Sequence, residues 1–242
     1  MKRLSVLLDD LAIIRAILSD NQIDPVRFAV LAEHAGANSI TCTYINKSKT
    51  VTERDLRLLK EMNNSFFNLR IPIDNDAMRM ALSIIPDMVT FVEANPNNPR
   101  TINAVSPSLH QAAIEEMLPN LQANNISVAI LVKPEIEYLK LVSKLPFDYV
   151  ELDALEYTEA SDINDEIVAL DKLKSAALAL GKWGMGVNCS GNITYDDIDG
   201  LAQTPNVEDI TMGDSIFRRS LLVGINQAVR EALELMRFRE VD

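Results

Sequence analysis

Along the chain, short apolar runs alternate with longer stretches whose apolar positions recur at helical spacing. The short runs are LSVLL at 4–8, SITCTY at 39–44, FFNLRI at 66–71 and MVTFVE at 88–93. The second half adds ISVAILV at 126–132, DYVELD at 148–153, GMGVN at 184–188 and VEDITM at 207–212. Several of these read as apolar on both faces, which is the pattern of a strand buried inside a parallel sheet. Between them the periodicity predicts helices over 24–37, 52–63, 74–85, 107–124, 134–145, within 160–181, over 194–203, and from about 215 onward. The last is read as one helix striped by Phe217, Leu221, Ile225, Val229, Leu233 and Met236. Start signals agree: Asp24 stands before Pro25, Thr52 is followed by Asp55, and Pro134 suits a first helical turn.

Eight strands alternating with eight helices predict a single (β/α)8 barrel over residues 1–242, with an open doubly wound sheet as the competing arrangement. In a barrel the active site lies where the strands end, so the fold becomes a residue list. The ends carry Asp9 and Asp10, then Thr43 and Tyr44, Arg70, Glu93 and Lys133, and later Glu151 with Asp153. After the seventh strand comes Asn188-Cys189-Ser190-Gly191-Asn192, and after the eighth Gly213-Asp214-Ser215. Phosphates in such barrels often sit at these last loops, on backbone N–H groups and a helix start. Asp214 is the discordant residue, because a carboxylate expected to cap the final helix would repel a dianion. A salt bridge from Arg70 to Glu151 is expected, since a buried guanidinium needs a carboxylate partner.

Both histidines, His34 and His110, fall inside helical patterns, and no Ser/His/Asp set, HExxH, Walker loop or paired CxxC occurs. A metal would have to be held by carboxylates alone, from among Asp9, Asp10, Glu151, Asp153 and Asp214. We expect neither metal nor cofactor.

Composition narrows the partners. With 23 basic against 35 acidic residues the net charge is −12, which argues against nucleic acid and against an anionic membrane surface. Hydrophobic residues make up 48% of the chain, ample for a large core, and the glycines and prolines form no linker-like run. Cys42 and Cys189 lie in apolar stretches and are expected to be reduced. MKRLSVLLDD places carboxylates where a signal peptide would stay apolar, and runs such as SVAILV are too short to span a bilayer. A cytoplasmic protein is expected.

Taken in order, the segments LSVLLDDLAIIR, DPVRFAVLAEHAGANSIT, VTERDLRLL, YVELDALEYT, GVNCSGNITY and DITMGDSIFRRSL resemble the pyridoxine 5′-phosphate synthase family over nearly the whole chain. The most specific block is DPVRFAVLAEHAGA. Family members condense 3-amino-2-oxopropyl phosphate with 1-deoxy-D-xylulose 5-phosphate to close the vitamin B6 ring. The resemblance implies a barrel, no cofactor, phosphorylated small-molecule ligands, and homo-oligomers, with dimers building an octamer. Asp9, Arg15, Glu151, Asn188 and Gly213 coincide with the family's residues, Glu151 with an active-site carboxylate.

Elsewhere the family's chemistry is replaced. Leu7 stands for an asparagine of the first strand, and Asp10 for the histidine after the aspartate. Thr43-Tyr44-Ile45 replace a His-x-Arg motif, and Lys49-Thr50 an Arg-His pair. Arg70 occupies the place of a proposed acid/base glutamate, and Gly191 and Asp214 those of two more histidines. Any remaining acid/base work would fall to Asp10, Glu151 and Asp153, with Arg70 beside them. Ligand binding would use Asp9, Arg15, Asn188, Ser190, Gly191, Asn192, Gly213, Asp214 and Ser215. The expected function is that of a divergent synthase-like protein, with synthase activity below that of its relatives. The alternatives are a non-catalytic ligand-binding or assembly protein and an enzyme with a changed substrate.

Overall fold

Residues 2–20, 22–46, 48 and 50–237 are described by the computed structural model, so Lys49 lies outside the described residues. All eight expected strands form: β1 (Arg3–Leu7), β2 (Ser39–Thr43), β3 (Phe66–Pro72), β4 (Met88–Asn95) and, after an added β5 (Asn98–Asn103), β6 (Ser127–Val132), β7 (Tyr149–Asp153), β8 (Gly186–Ser190) and β9 (Val207–Met212). Between and after the early strands run α1 (Asp9–Leu18), α2 (Pro25–Ala35), α3 (Glu53–Met62), α4 (Asn75–Ile84), α5 (Pro107–Ala123) and α6 (Ile136–Val142). The rest are α7 (Leu155–Thr158), α8 (Ile163–Lys182), α9 (Ile198–Ala202), α10 (Asp214–Val223) and α11 (Ile225–Met236).

Hydrogen bonding runs in the order β3-β2-β1-β9-β8-β7-β6-β4, every neighbour parallel, and β3 pairs with β4 to close the ring. This is a closed (β/α)8 barrel, and the open sheet is excluded. β5 stands outside the ring as the antiparallel arm of a hairpin with β4, pairing Glu93 with Asn103.

The strands are buried on both faces, yet they are not apolar on both. Leu4, Val6, Ile40, Cys42, Leu69, Val150 and Val187 point to the helices and join the main core. The residues between them, such as Ser5, Thr41, Asn68, Arg70, Thr90, Glu151 and Asn188, are buried and polar. Period-2 alternation therefore places a polar set inside the barrel. Short hydrogen bonds satisfy part of it, including Ser5 Oγ to Thr41 Oγ1 at 2.7 Å and Thr90 Oγ1 to Asn68 Oδ1 at 2.9 Å.

The helix starts explain themselves locally. Asp24 accepts from the Val26 N–H ahead of Pro25, and Thr52 and Asp55 form a reciprocal capping box. Pro134 instead precedes its helix, whose N-cap is Glu135. A helix also follows β1 at once, before the one expected at 24–37.

The final helix is two. Gly224, at φ 81° and ψ 155°, separates α10 from α11. Val229 and Met236 stay buried, whereas Leu221 is 69% exposed, so the stripe is interrupted. Cys42 and Cys189 are free and buried. Among the described residues no helix is long and apolar enough to cross a membrane.

Candidate functional site

The C-terminal ends of the barrel strands surround a cavity of about 640 Å³. Hollows of about 710 Å³ at the opposite barrel end, around Lys2 and Glu208, and of about 840 Å³ between α6 and α8 are more open and gather none of the expected site residues. Ten of those residues line the mouth: Asp9, Asp10, Arg70 and Asp153, then Ser190, Gly191 and Asn192, then Gly213, Asp214 and Ser215. Glu151 and Asn188 lie beneath it. Arg15 does not line the mouth: its guanidinium grips both oxygens of Asp55 and the Thr50 carbonyl, tying α1 to the start of α3.

Arg70 on β3 reaches across the interior to Glu151 on β7, and Nη2 donates to Oε1. Their side chains are 4% and 0% exposed. The pair expected from the sequence is present. It is incomplete in its hydrogen bonding, because Arg70 Nε, Glu151 Oε2 and Asn188 Oδ1 are buried without partners among the described residues. Asn188 sits in register beside Glu151 on β8, and its amide nitrogen meets only the Met88 sulfur, at 4.0 Å.

Above this floor stand carboxylates. Asp9 accepts from the Thr43 N–H at 2.7 Å and the Thr43 hydroxyl at 2.6 Å. Burial nonetheless pushes its pKa above the ordinary value. Burial, then the charges of Asp214 and Asp9, do the same to Asp10. Asp153 is raised by burial although it accepts from the Leu155 N–H at 3.1 Å.

The last two loops are tied together. Gly191 has φ +121°, and a Cβ there would lie 2.9 Å from an Asp153 oxygen, so only glycine fits. Asn192 Nδ2 donates to Glu159 at 2.6 Å, and Ser215 Oγ donates to the Ile193 carbonyl at 2.7 Å. Asp214 does not cap the helix. Gly213 is the N-cap of α10, and among the described residues no side-chain cap bonds its first N–H groups. Being one residue further on, Asp214 bonds Arg218 one turn along instead and stands 4.0 Å from Arg100.

Two cations of the mouth escaped the sequence reading. Arg100 arrives on β5, whose NPNNPRTIN stretch carries no strand pattern, and it also approaches Asp10 at 3.8 Å. Arg218 did carry a signal, the i,i+4 spacing from Asp214. Both histidines are outside the cavity. His34 bonds its own helix at Val30, and His110 on α5 stands 3.4 Å from Glu93. Among the described residues no group of three His, Cys, Asp or Glu side chains is placed to hold a metal ion.

Residues 4–238 match the model of the family described as "Pyridoxal phosphate biosynthesis protein PdxJ". The chain belongs to this family. It is 32% identical over 238 residues to the pyridoxine 5′-phosphate synthase of Geotalea daltonii, spanning 98% of this chain and 100% of that one. To the pyridoxine 5′-phosphate synthase of Geobacter metallireducens it is 31% identical, with the same 98% and 100% coverage. The family resemblance read from the sequence therefore holds over nearly the whole chain. A phosphoribosylanthranilate isomerase from Thermotoga maritima superposes with a TM-score of 0.63 at 11% identity, over 98% of this chain and 99% of that one. A thiamine phosphate pyrophosphorylase from Pyrococcus furiosus gives 0.62 at 17% identity, over 97% and 95%. At such identities the likeness concerns the barrel alone.

Proposed function

We propose that this PdxJ-family chain binds a small polar molecule at the barrel mouth and does not close the pyridoxine ring at the rate of its relatives. The observation that supports this most is the buried Arg70–Glu151 pair. By the resemblance, position 70 belongs to an acid/base glutamate, and a guanidinium there cannot trade protons near neutral pH. Thr43 and Gly191 stand at histidine positions and carry no acid/base side chain, and Asp214, paired with Arg218, replaces a third histidine. Each missing general acid or base typically costs about a hundredfold or more. Purified protein given 3-amino-2-oxopropyl phosphate and 1-deoxy-D-xylulose 5-phosphate should form no pyridoxine 5′-phosphate at the relatives' rate. Restored growth of a strain lacking the synthase would overturn this reading.

A phosphorylated ligand is a second reading, favoured by the uncapped N–H groups that open α10 beside Gly191 and Asn192. Stabilisation of the fold by inorganic phosphate, lost when α10 is altered at Ser215, would support it.

A further inference from the structure

The mouth is short of positive charge. Asp9, Asp10, Asp153, Glu159 and Asp214 line it against three arginines. Two of those already share their charge, Arg70 with Glu151 through one nitrogen and Arg218 with Asp214. The third, Arg100, is 71% exposed and stands at arm's length, 3.8 Å from Asp10 and 4.0 Å from Asp214. Among the described residues neither Asp9 nor Asp153 has a salt-bridge partner. A concave site with this excess focuses a negative potential that draws cations and opposes dianions. Burial is the largest cause that raises the pKa values of Asp9, Asp10 and Asp153, and a cation among them would oppose it.

The floor adds an independent observation. Arg70 lines the cavity, its side chain is 4% exposed, and its Nε is sealed from solvent without an acceptor. Native proteins seldom leave such a donor unpaired. Among the described residues the guanidinium hydrogen-bonds through Nη2 alone, to Glu151, which leaves N–H groups of a cavity-lining arginine unmatched although Glu151 Oε2 lies in the same floor. Cation-seeking carboxylates stand above an oxygen-seeking guanidinium.

We propose that the mouth binds a small zwitterion, with its ammonium held between Asp10 and Asp153 and its carboxylate on Arg70. This rests on the reading that the mouth holds a small polar ligand, and it names the class. Selection follows from charge. A neutral zwitterion satisfies both ends of the site, whereas a phosphate dianion meets Asp9 and Asp153, which have no salt-bridge partner among the described residues.

The test is calorimetric titration of the full chain with β-alanine, propylamine, propionate and inorganic phosphate. β-Alanine should bind more tightly than propylamine or propionate, and phosphate should not compete with it. Asp10→Asn and Asp153→Asn should each weaken β-alanine at least about tenfold, as expected for losing one charge-assisted contact. Asparagine at 153 can still accept from the Leu155 N–H, so that fold element is kept. Thermal unfolding of both variants, close to that of the parent, would show that the loss is one of binding.

Phosphate bound in preference to β-alanine would overturn the zwitterion assignment and leave the small-ligand reading standing. So would β-alanine affinity unchanged in both variants. Binding of none of the four at millimolar concentration refutes the assignment, and synthase activity would refute the reading beneath it.

Discussion

Arg70 and Glu151 each bury a charge that neither could bury alone. Removing one partner leaves the other uncompensated in the barrel interior, so Arg70→Met should destabilise the fold by about 3–5 kcal/mol in urea unfolding. Arg70→Met with Glu151→Met should recover most of that loss, because the desolvation penalty disappears with the second charge. The rim responds to pH. Burial holds Asp9, Asp10 and Asp153 above the ordinary 3.8, so the folded state takes up protons at a pH where the unfolded chain does not. Each such group adds stability as pH falls from above its folded value toward 3.8. Asp55 acts in the opposite sense. Burial pushes it up, but its bonds to Arg15 and Thr52 more than reverse this, and its carboxyl sits below 3.8. Its contribution is complete above 3.8 and is lost as pH falls through its folded value. The melting temperature should therefore rise on mild acidification and fall below about pH 4. Asp10→Asn should flatten the rise. At this scale the sequence was informative wherever strand alternation decides direction, as for Arg70 and Glu151. It misled at Asp214, where one position along a helix start separates a cap from a surface ion pair.

Elements were legible where their apolar pattern was strong and opaque where backbone geometry intervened. The stripe from Phe217 to Met236 reads as one helix, and only the Gly224 backbone breaks it. At φ 81° and ψ 155° a side chain is strained even though open space surrounds the position. Gly224→Ala should cost about 1–3 kcal/mol in chemical denaturation, a penalty of backbone conformation with no steric clash. The β4–β5 hairpin was missed for a different reason. Its residues are largely exposed and polar, so no hydrophobic period marks them, yet it delivers Arg100 to the mouth.

The whole barrel followed from alternation, since eight strand-helix pairs of this length leave few ways to cover both faces of every strand. Closure itself, the β3–β4 pairing, has no local signature and is a property of the ring. Surface apolar residues bear on assembly. Leu221 and Leu222 are 69% and 79% exposed, and Ile163, Ile167 and Val168 on α8 are also exposed. We infer that the chain associates with copies of itself, as the family resemblance implies, and light scattering at micromolar concentration should give a mass above 26.9 kDa. A monomeric mass would count against it.

The two cysteines give the closed ring a clock. Cys42 in β2 and Cys189 in β8 are 0% exposed, and burial pushes both thiols up, Cys189 to about 12. Neither can meet a reagent while the strands stay paired, and neither ionises readily where it sits. Labelling by a thiol-specific reagent should therefore proceed at both positions together, at a rate set by opening of the barrel. Raising the reagent concentration would then leave that rate unchanged once opening limits it, so the native chain reports its own unfolding rate without an added probe.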